Sequence, residues 1–133
     1  MLGEEIGGGT GKRTARRVVA TDPQFMVEVS FEDRTKLLGN DGANIGTYTS
    51  TNKPDGSLHG EGQGLFATSG GDFATWRGIG IGRLLPDGGV SYRGCISLST
   101  SSAKLARLNT IAAVFEFDVD PDGNTRSKFW EWK

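Results

Sequence analysis

The segment that decides the fold runs from residue 54 to residue 88 and reads PDGSLHGEGQGLFATSGGDFATWRGIGIGRLLPDG. It begins and ends with the same tripeptide, which occurs a third time at Pro121-Asp122-Gly123. Proline fixes φ at about −65° and glycine adopts positive φ, so each copy predicts a tight turn. Between the turns, apolar and polar residues alternate with the period typical of β-strands. The segment therefore predicts two antiparallel strands joined at Ser69-Gly70-Gly71-Asp72.

Turn signals recur along the rest of the chain. Asp22-Pro23 and Gly39-Asn40-Asp41-Gly42 mark two earlier turns. The predicted strands are 12–21, 24–37, 43–53, 57–69, 72–84, 89–100, 110–120 and 124–132. We therefore predict an all-β fold, an eight-stranded antiparallel up-and-down barrel in which the first strand pairs with the last. An open sandwich of two sheets is the alternative architecture.

One short helix is predicted between strands 6 and 7. The link 101–109 reads SSAKLARLN, in which a serine can cap the first turn and Asn109 can end the helix. Leu105 and Leu108 share one face at helical spacing. We expect this helix to cover one mouth of the barrel.

Composition limits the functional classes. The 133 residues carry a net charge of −1, which provides no field to attract nucleic acid or an anionic membrane. No apolar run is long enough for a membrane helix, and the first residues lack a signal-peptide pattern. The single cysteine excludes a disulfide framework and a zinc site built from cysteines. We expect one cytoplasmic barrel domain over 1–133, with neither membrane nor nucleic acid as a partner.

Two motifs resemble ligand loops but lack required residues. The run Gly7–Lys12 has Ile6 where a phosphate loop needs glycine and Arg13 where it needs serine or threonine. Residues 1–11 are therefore expected to form a flexible N-terminal arm. The run 118–124 opens like a calcium loop but lacks its final glutamate, so it predicts an acidic hairpin turn. No cofactor and no metal site is predicted.

A candidate ligand surface follows from the strand register. If Asp55-Gly56, Gly70-Gly71 and Asp87-Gly88 are two-residue loops, one sheet face collects hydroxyl, amide, imidazole, thiol and indole groups. The candidate ligand contacts on that face are Tyr48, Glu61, Gln63, Trp76 and Arg93. Glu61 is the best candidate for a general acid or base, because flanking glycines and aromatic neighbours would desolvate its carboxyl group and raise its pKa.

Structural interpretations stand beside these functional ones. The glycines at 60, 62, 64, 78, 80 and 82 can relieve crowding on a curved sheet or leave space for a ligand. The candidate face can equally be the outside of the barrel, with a core made of Ile79, Ile81, Ile96 and Leu98. His59 is expected at the surface beside Glu61, and Cys95 is expected to be a buried thiol. At the C-terminus, the expected register places Trp130 opposite Phe115 and Trp132 opposite Ala113, as core.

Four segments together resemble a family of short uncharacterised bacterial proteins. They are 60–64 (GEGQG), 74–78 (ATWRG), 105–109 (LARLN) and 130–133 (WEWK). The eight-strand plan is also similar to the allene oxide cyclase and dirigent β-barrels. That similarity implies a small hydrophobic ligand inside the barrel and assembly as a homo-oligomer.

The sequence therefore predicts a β-barrel that binds a small, partly apolar molecule. One alternative is an isomerase or cyclase of the allene oxide cyclase kind, in which Glu61 polarises the substrate. The other is a structural homo-oligomer without a ligand, whose glycine-rich face is the subunit interface.

Overall fold

The protein, described by a computed structural model over residues 1–133, is a closed barrel of eight antiparallel strands. Each strand pairs with the next and the eighth pairs with the first, which confirms the predicted fold class. The strands are β1 (Leu2–Ala20), β2 (Met26–Leu37), β3 (Asn40–Asn52), β4 (Leu58–Thr68), β5 (Phe73–Leu84), β6 (Val90–Ser99), β7 (Ala113–Val119) and β8 (Asn124–Trp132). A 3-10 helix, Ala106–Thr110, lies between β6 and β7. None of the helical structure is long and apolar enough to cross a lipid bilayer.

β1 closes the barrel and begins earlier than expected. The prediction of a flexible arm over residues 1–11 is wrong, because Gly7, Gly9 and Gly11 pair with both β2 and β8. A Cβ placed on Gly7 would lie 2.1 Å from the carbonyl oxygen of Lys36. The missing side chains allow β1 to lie close against β2, so this glycine-rich run forms the seam of the barrel.

Four hairpin loops contain three residues rather than the expected two. At Pro54-Asp55-Gly56, the amide of Gly56 donates to the carbonyl of Lys53 (3.0 Å), and the amide of Lys53 donates to the carbonyl of Ser57 (2.8 Å). Gly56 has a φ of +87°, so the loop is a type I turn followed by a left-handed glycine. The same pair of hydrogen bonds, with a positive-φ glycine, recurs in the loops that end at Gly71, Gly88 and Gly123. The expected register is therefore wrong by one residue in each hairpin.

This shift changes which side chains share a face of the sheet. Tyr48 lies opposite Gly62, rather than Gln63, and Gly62 lies opposite Gly78. All six glycines at 60, 62, 64, 78, 80 and 82 point into the barrel and oppose one another or an inward aromatic residue. Ile79 and Ile81 point outward and are 44% and 43% exposed, so their predicted place in the core is wrong. Ile96 and Leu98 do face the interior, opposite Gly78 and Trp76.

Two hydrophobic clusters fill the lumen. The lid cluster consists of Ile6, Leu37, Phe66, Ala74, Ile96, Leu105, Leu108, Ile111 and Ala113. The proline-end cluster, on the side of the Pro-Asp-Gly loops, consists of Phe31, Leu58, Tyr92, Phe117 and Val119. Leu105 and Leu108 are fully buried, so the link between β6 and β7 plugs one mouth as predicted. Its regular part is only the 3-10 helix, and no serine side chain caps it.

Two further expectations are wrong because of the register. Trp130 lies opposite Val114, whereas Phe129 takes the inward position opposite Phe115. Trp132 is 60% exposed rather than part of the core. Cys95, expected to be buried, is exposed because its strand turns it to the outer face, opposite Ile79.

Candidate functional site

An internal cavity lies between the two hydrophobic clusters. Its volume is about 70 Å³, and most of its lining is apolar. The lining residues are Phe31, Asp33, Asn44, Tyr48, Gly60, Glu61, Gly62, Trp76, Gly78, Gly80, Tyr92, Ile96, Phe115, Phe117, Ser127 and Phe129. Residues from seven of the eight strands meet here, so the closed barrel itself builds the site.

Glycines on β4 and β5 form one wall of this cavity. At Gly64 and Gly60, aromatic rings pack directly against the backbone. A Cβ on Gly64 would lie 2.3 Å from the Trp76 indole, and a Cβ on Gly60 would lie 2.8 Å from the Tyr92 ring. Gly78 differs, because its nearest neighbours would be 3.5 Å from an added Cβ, which is ordinary contact. Both sequence interpretations of the glycines therefore hold in part, since they relieve crowding and also border an open space.

A buried polar chain crosses the opposite wall. Asp33 is only 8% exposed, and its carboxylate accepts hydrogen bonds from the Thr35 hydroxyl and from the Asn44 amide (3.4 Å). The Trp76 indole Nε1 donates to the Asn44 Oδ1 at 2.8 Å. Asn44 is directly opposite Asp33 on the neighbouring strand, so the strand pairing fixes this geometry. The chain orients one carboxyl group at the edge of an otherwise apolar cavity.

The environment of Asp33 favours its neutral form. Burial raises the pKa of the Asp33 carboxyl, and the hydrogen bonds from Thr35 and Asn44 oppose that rise only in part. No arginine, lysine or histidine forms an ion pair with it. A neutral carboxylic acid can donate as well as accept a hydrogen bond, which an isolated carboxylate cannot do.

Two buried hydroxyl groups lack hydrogen-bond partners. The Ser127 Oγ, on a residue that lines the cavity, and the Thr125 Oγ1 are both enclosed without a donor or acceptor in reach. Buried polar groups are normally satisfied, so an orphaned hydroxyl beside a cavity indicates a missing partner. Ser127 is therefore the cavity residue whose polar group lacks a partner, and Asp33 is the buried carboxyl group beside the same cavity.

Aromatic rings separate the cavity from the proline end of the barrel. Phe31 and Phe117 pack with ring centroids 4.9 Å apart, and Tyr48 meets Phe117 edge-on at 5.7 Å. The Tyr92 hydroxyl donates to the Ser50 Oγ at 2.8 Å, which anchors that ring. Tyr48 is half-buried, and burial raises the pKa of its hydroxyl. The Tyr48 hydroxyl has no hydrogen bond of the kind that Tyr92 makes to Ser50, so Tyr48 is the less firmly held of the two tyrosines.

The structure divides the five predicted ligand contacts between two faces. Tyr48 and Trp76 line the cavity, as a ligand site would require. Glu61 contributes to the wall at its backbone, but its side chain points outward and accepts a hydrogen bond from the His59 Nε2 at 3.0 Å. Gln63 and Arg93 also point outward and are exposed. The expected common face is wrong because it rested on two-residue loops.

Sequence reasoning missed Asp33 and Ser127, although β2 carried a usable signal. Val29, Phe31 and Leu37 are apolar at alternate positions and are buried. That alternation places Asp33 on the inner face with them, so a polar residue is out of pattern there. An aspartate among inward-facing apolar residues is the sequence signal that points to this cavity.

The glycine-rich face cannot be a subunit interface in this fold, because it forms the inside of the barrel. The acidic loop after β7 is the predicted hairpin turn. Its Asp120 carboxylate accepts hydrogen bonds from the side-chain amide and the backbone amide of Asn124, and from the backbone amide of Asp122, which hold the pKa of that carboxyl below its usual value. No group of three or more His, Cys, Asp or Glu side chains is close enough together to hold a metal ion.

Solved structures of bacterial proteins share this fold. A protein of unknown function from Clostridium acetobutylicum superposes with a TM-score of 0.81 over 98% of this chain and 99% of its own, at 15% identity. A beta-barrel like protein from Acinetobacter baumannii gives 0.81 over 100% of this chain and 96% of its own, at 13% identity. An enzyme from Penicillium herquei gives 0.68 over 96% and 92%, at 19% identity. These similarities show the fold alone. No family model and no curated protein sequence matches the chain.

Proposed function

We propose that the protein binds a small, largely apolar molecule inside the barrel. The observation that carries this proposal is the pair of buried polar groups, on Asp33 and Ser127, at the edge of an apolar cavity. Ligand sites typically combine apolar walls with a few oriented polar groups. A ligand with one hydroxyl or carbonyl group would fill the space and give the Ser127 hydroxyl a partner beside the Asp33 carboxyl group.

The cavity volume limits the size of this ligand. About 70 Å³ is close to half of the roughly 150 Å³ cavity that admits benzene. The closed barrel therefore holds only a few heavy atoms, and a longer molecule would extend past Tyr48 toward the proline end. We expect a narrow ligand, because rings of the aromatic layer border that route.

Titration of isotope-labelled protein with 1-hexanol tests the proposal. Amide resonances of Gly62, Gly78 and Ser127 are expected to shift as the cavity fills. Gly78→Val places a side chain in the cavity and is expected to abolish these shifts. Thr75→Val, on the outer face of the same strand, is the matched control and is expected to change nothing. Shifts that persist in Gly78→Val would contradict binding inside the barrel.

Proton transfer is a second candidate function, favoured by the burial of Asp33 without a cation. The isomerase or cyclase alternative named Glu61, whose carboxylate lies outside the barrel; Asp33 is the carboxyl group at the cavity. A carboxyl group whose pKa is raised by burial is suited to general acid–base work near neutral pH. The fungal enzyme of similar fold supports this candidate only at the level of architecture.

The reaction that tests this candidate is the isomerisation of 4-penten-2-one in D2O. The Asp33 carboxylate would take a proton from the carbon between the carbonyl and the alkene, and the carboxyl would return a hydron to the terminal carbon. The double bond moves into conjugation and no oxidant is needed. Proton NMR is expected to show catalysis that Asp33→Asn abolishes and Glu61→Gln leaves unchanged. Conversion at the rate of the protein-free solution would exclude this candidate.

A further inference from the structure

Three arginines on β1 lie on different faces of the barrel. A bulge between Arg13 and Ala15 shifts the register, so Arg16 lies opposite the buried Val29 and joins Arg13 on the inner face. Arg17 lies opposite Glu28 on the outer face and pairs with its carboxylate at 3.2 Å. The bulge therefore brings two cationic groups to the inside of the barrel rim.

Neither inner arginine has a carboxylate partner. The arginines found in ion pairs are Arg17, Arg93 and Arg107. The remaining unpaired arginines, at 34, 77, 83 and 126, are exposed on the outer face. Arg13 is half-buried, and its guanidinium lies over the backbone of Gly123, 3.3 Å from where a Cβ would be. Partial burial of a guanidinium group costs solvation free energy, and a bound anion would compensate for that cost.

Arg16 shares a row of the sheet with Tyr48, and Arg13 lies opposite Phe31, whose ring centroid is 6.0 Å from that of Tyr48; both rings line the cavity. Arg16, Val29 and Tyr48 occupy one row across three adjacent strands. Burial raises the pKa of the Tyr48 hydroxyl, and the positive charges of Arg13 and Arg16 oppose that rise in part. Tyr48 therefore belongs both to the lining of the cavity and to the row of the sheet that carries Arg16.

We propose that the ligand is a small carboxylic acid, with its carboxylate at Arg13 and Arg16 and its chain extending into the cavity. This inference rests on the proposed binding function and adds the chemical class of the ligand. A guanidinium group presents paired N–H donors that match the two oxygens of a carboxylate. The rim is open to water at Arg16, so the carboxylate need not be fully desolvated.

Hexanoate and 1-hexanol are the probes that test the inference, because they share a chain and differ in the head group. At low salt, hexanoate is expected to bind about tenfold more tightly, as followed by amide shifts of Gly62 and Gly78. Arg13→Gln and Arg16→Gln are each expected to remove most of that preference and leave the affinity for 1-hexanol unchanged. Arg17→Gln, the matched outer-face control, is expected to preserve both affinities.

The outcomes separate this inference from the proposed function. Equal affinities for the two probes in the native protein would overturn the carboxylate assignment and leave binding in the cavity intact. Loss of the preference in Arg17→Gln as well would show a general effect of net charge, and would also overturn it. If neither probe binds, the proposed function fails, and the ligand class inferred from it fails too.

Discussion

Asp33 is a buried carboxyl group on the inner face of β2, between Phe31 and Thr35. Burial raises its pKa, so the folded protein binds this proton more tightly than the unfolded chain does. The stability contributed by such a group is complete below the ordinary aspartate pKa of about 3.9. It is lost as the pH rises through the higher pKa of the folded state, because ionisation is then easier in the unfolded chain.

Asp33→Asn is therefore expected to increase the free energy of unfolding at neutral pH. The increase should shrink as the pH falls toward about 4, where the native Asp33 is also neutral. Urea denaturation at a series of pH values measures the difference between the two proteins. Glu61→Gln, at an exposed carboxyl, controls for the loss of a charge. A difference that grows on acidification would show that Asp33 is stabilised as a carboxylate.

At the residue scale, the sequence singled out Tyr48 and Trp76, which line the cavity, but not Asp33 and Ser127, which line it too. Tyr48 and Trp76 were placed on the same face correctly, because the one-residue errors in the two hairpins between β3 and β5 cancel. Asp33 was missed because charged residues are common in strands, and only the alternation of Val29 and Phe31 marks it as inward. A polar residue can be assigned to a site only when the face of the sheet it occupies is known, and that face depends on the strand register.

Glycines of β4 and β5 provide a matched pair of substitutions at the scale of an element. Gly78→Ala is expected to stabilise the protein by about 0.4–1 kcal/mol, because its Cβ has ordinary contacts and the unfolded chain loses freedom. Gly64→Ala is expected to destabilise it by about 1–3 kcal/mol, because its Cβ would overlap the Trp76 indole. Chemical denaturation of both variants measures the contrast. Equal effects would show that Trp76 does not rest on Gly64.

Turn chemistry predicted the number of strands but not the pairing between them. A final Asp-Gly pair is typical of two-residue loops, whereas proline favours the second position of a type I turn. The proline at 54, 86 and 121 was therefore the signal for a three-residue loop. Because side chains alternate strictly, that one residue decided whether Glu61 or Gly62 faced the lumen.

Closure of the whole barrel depends on the first strand. Deletion of residues 1–11 removes every pairing between β1 and β8 except the one made by Lys12, and it also removes Ile6 from the lid cluster. The shortened chain is expected to lose cooperative thermal unfolding, because β8 loses almost all of its pairing with β1 and the Asp33–Leu37 part of β2 becomes an unpaired edge. Calorimetry of the two chains tests this. An unchanged transition would show that residues 1–11 are not needed to close the barrel.

The sequence did not separate a closed barrel from a sandwich by composition alone. Both architectures use short alternating strands and glycine-rich turns. What distinguishes them here is the run Gly7–Gly11, which lies between β2 and β8 and was interpreted as a tail. A strand with glycine at alternate positions has little hydrophobic pattern, so periodicity could not detect it.

A cavity wall made of bare backbone also bears on how such a protein could diversify. At Gly78, a codon change to alanine or serine would remove space from the lumen without moving a strand. The polar groups at the edge of the cavity, on Asp33 and Ser127, belong to other strands and would be untouched. Under the proposed function, each such substitution would shorten the molecule that fits the cavity, and the reverse change to glycine would lengthen it.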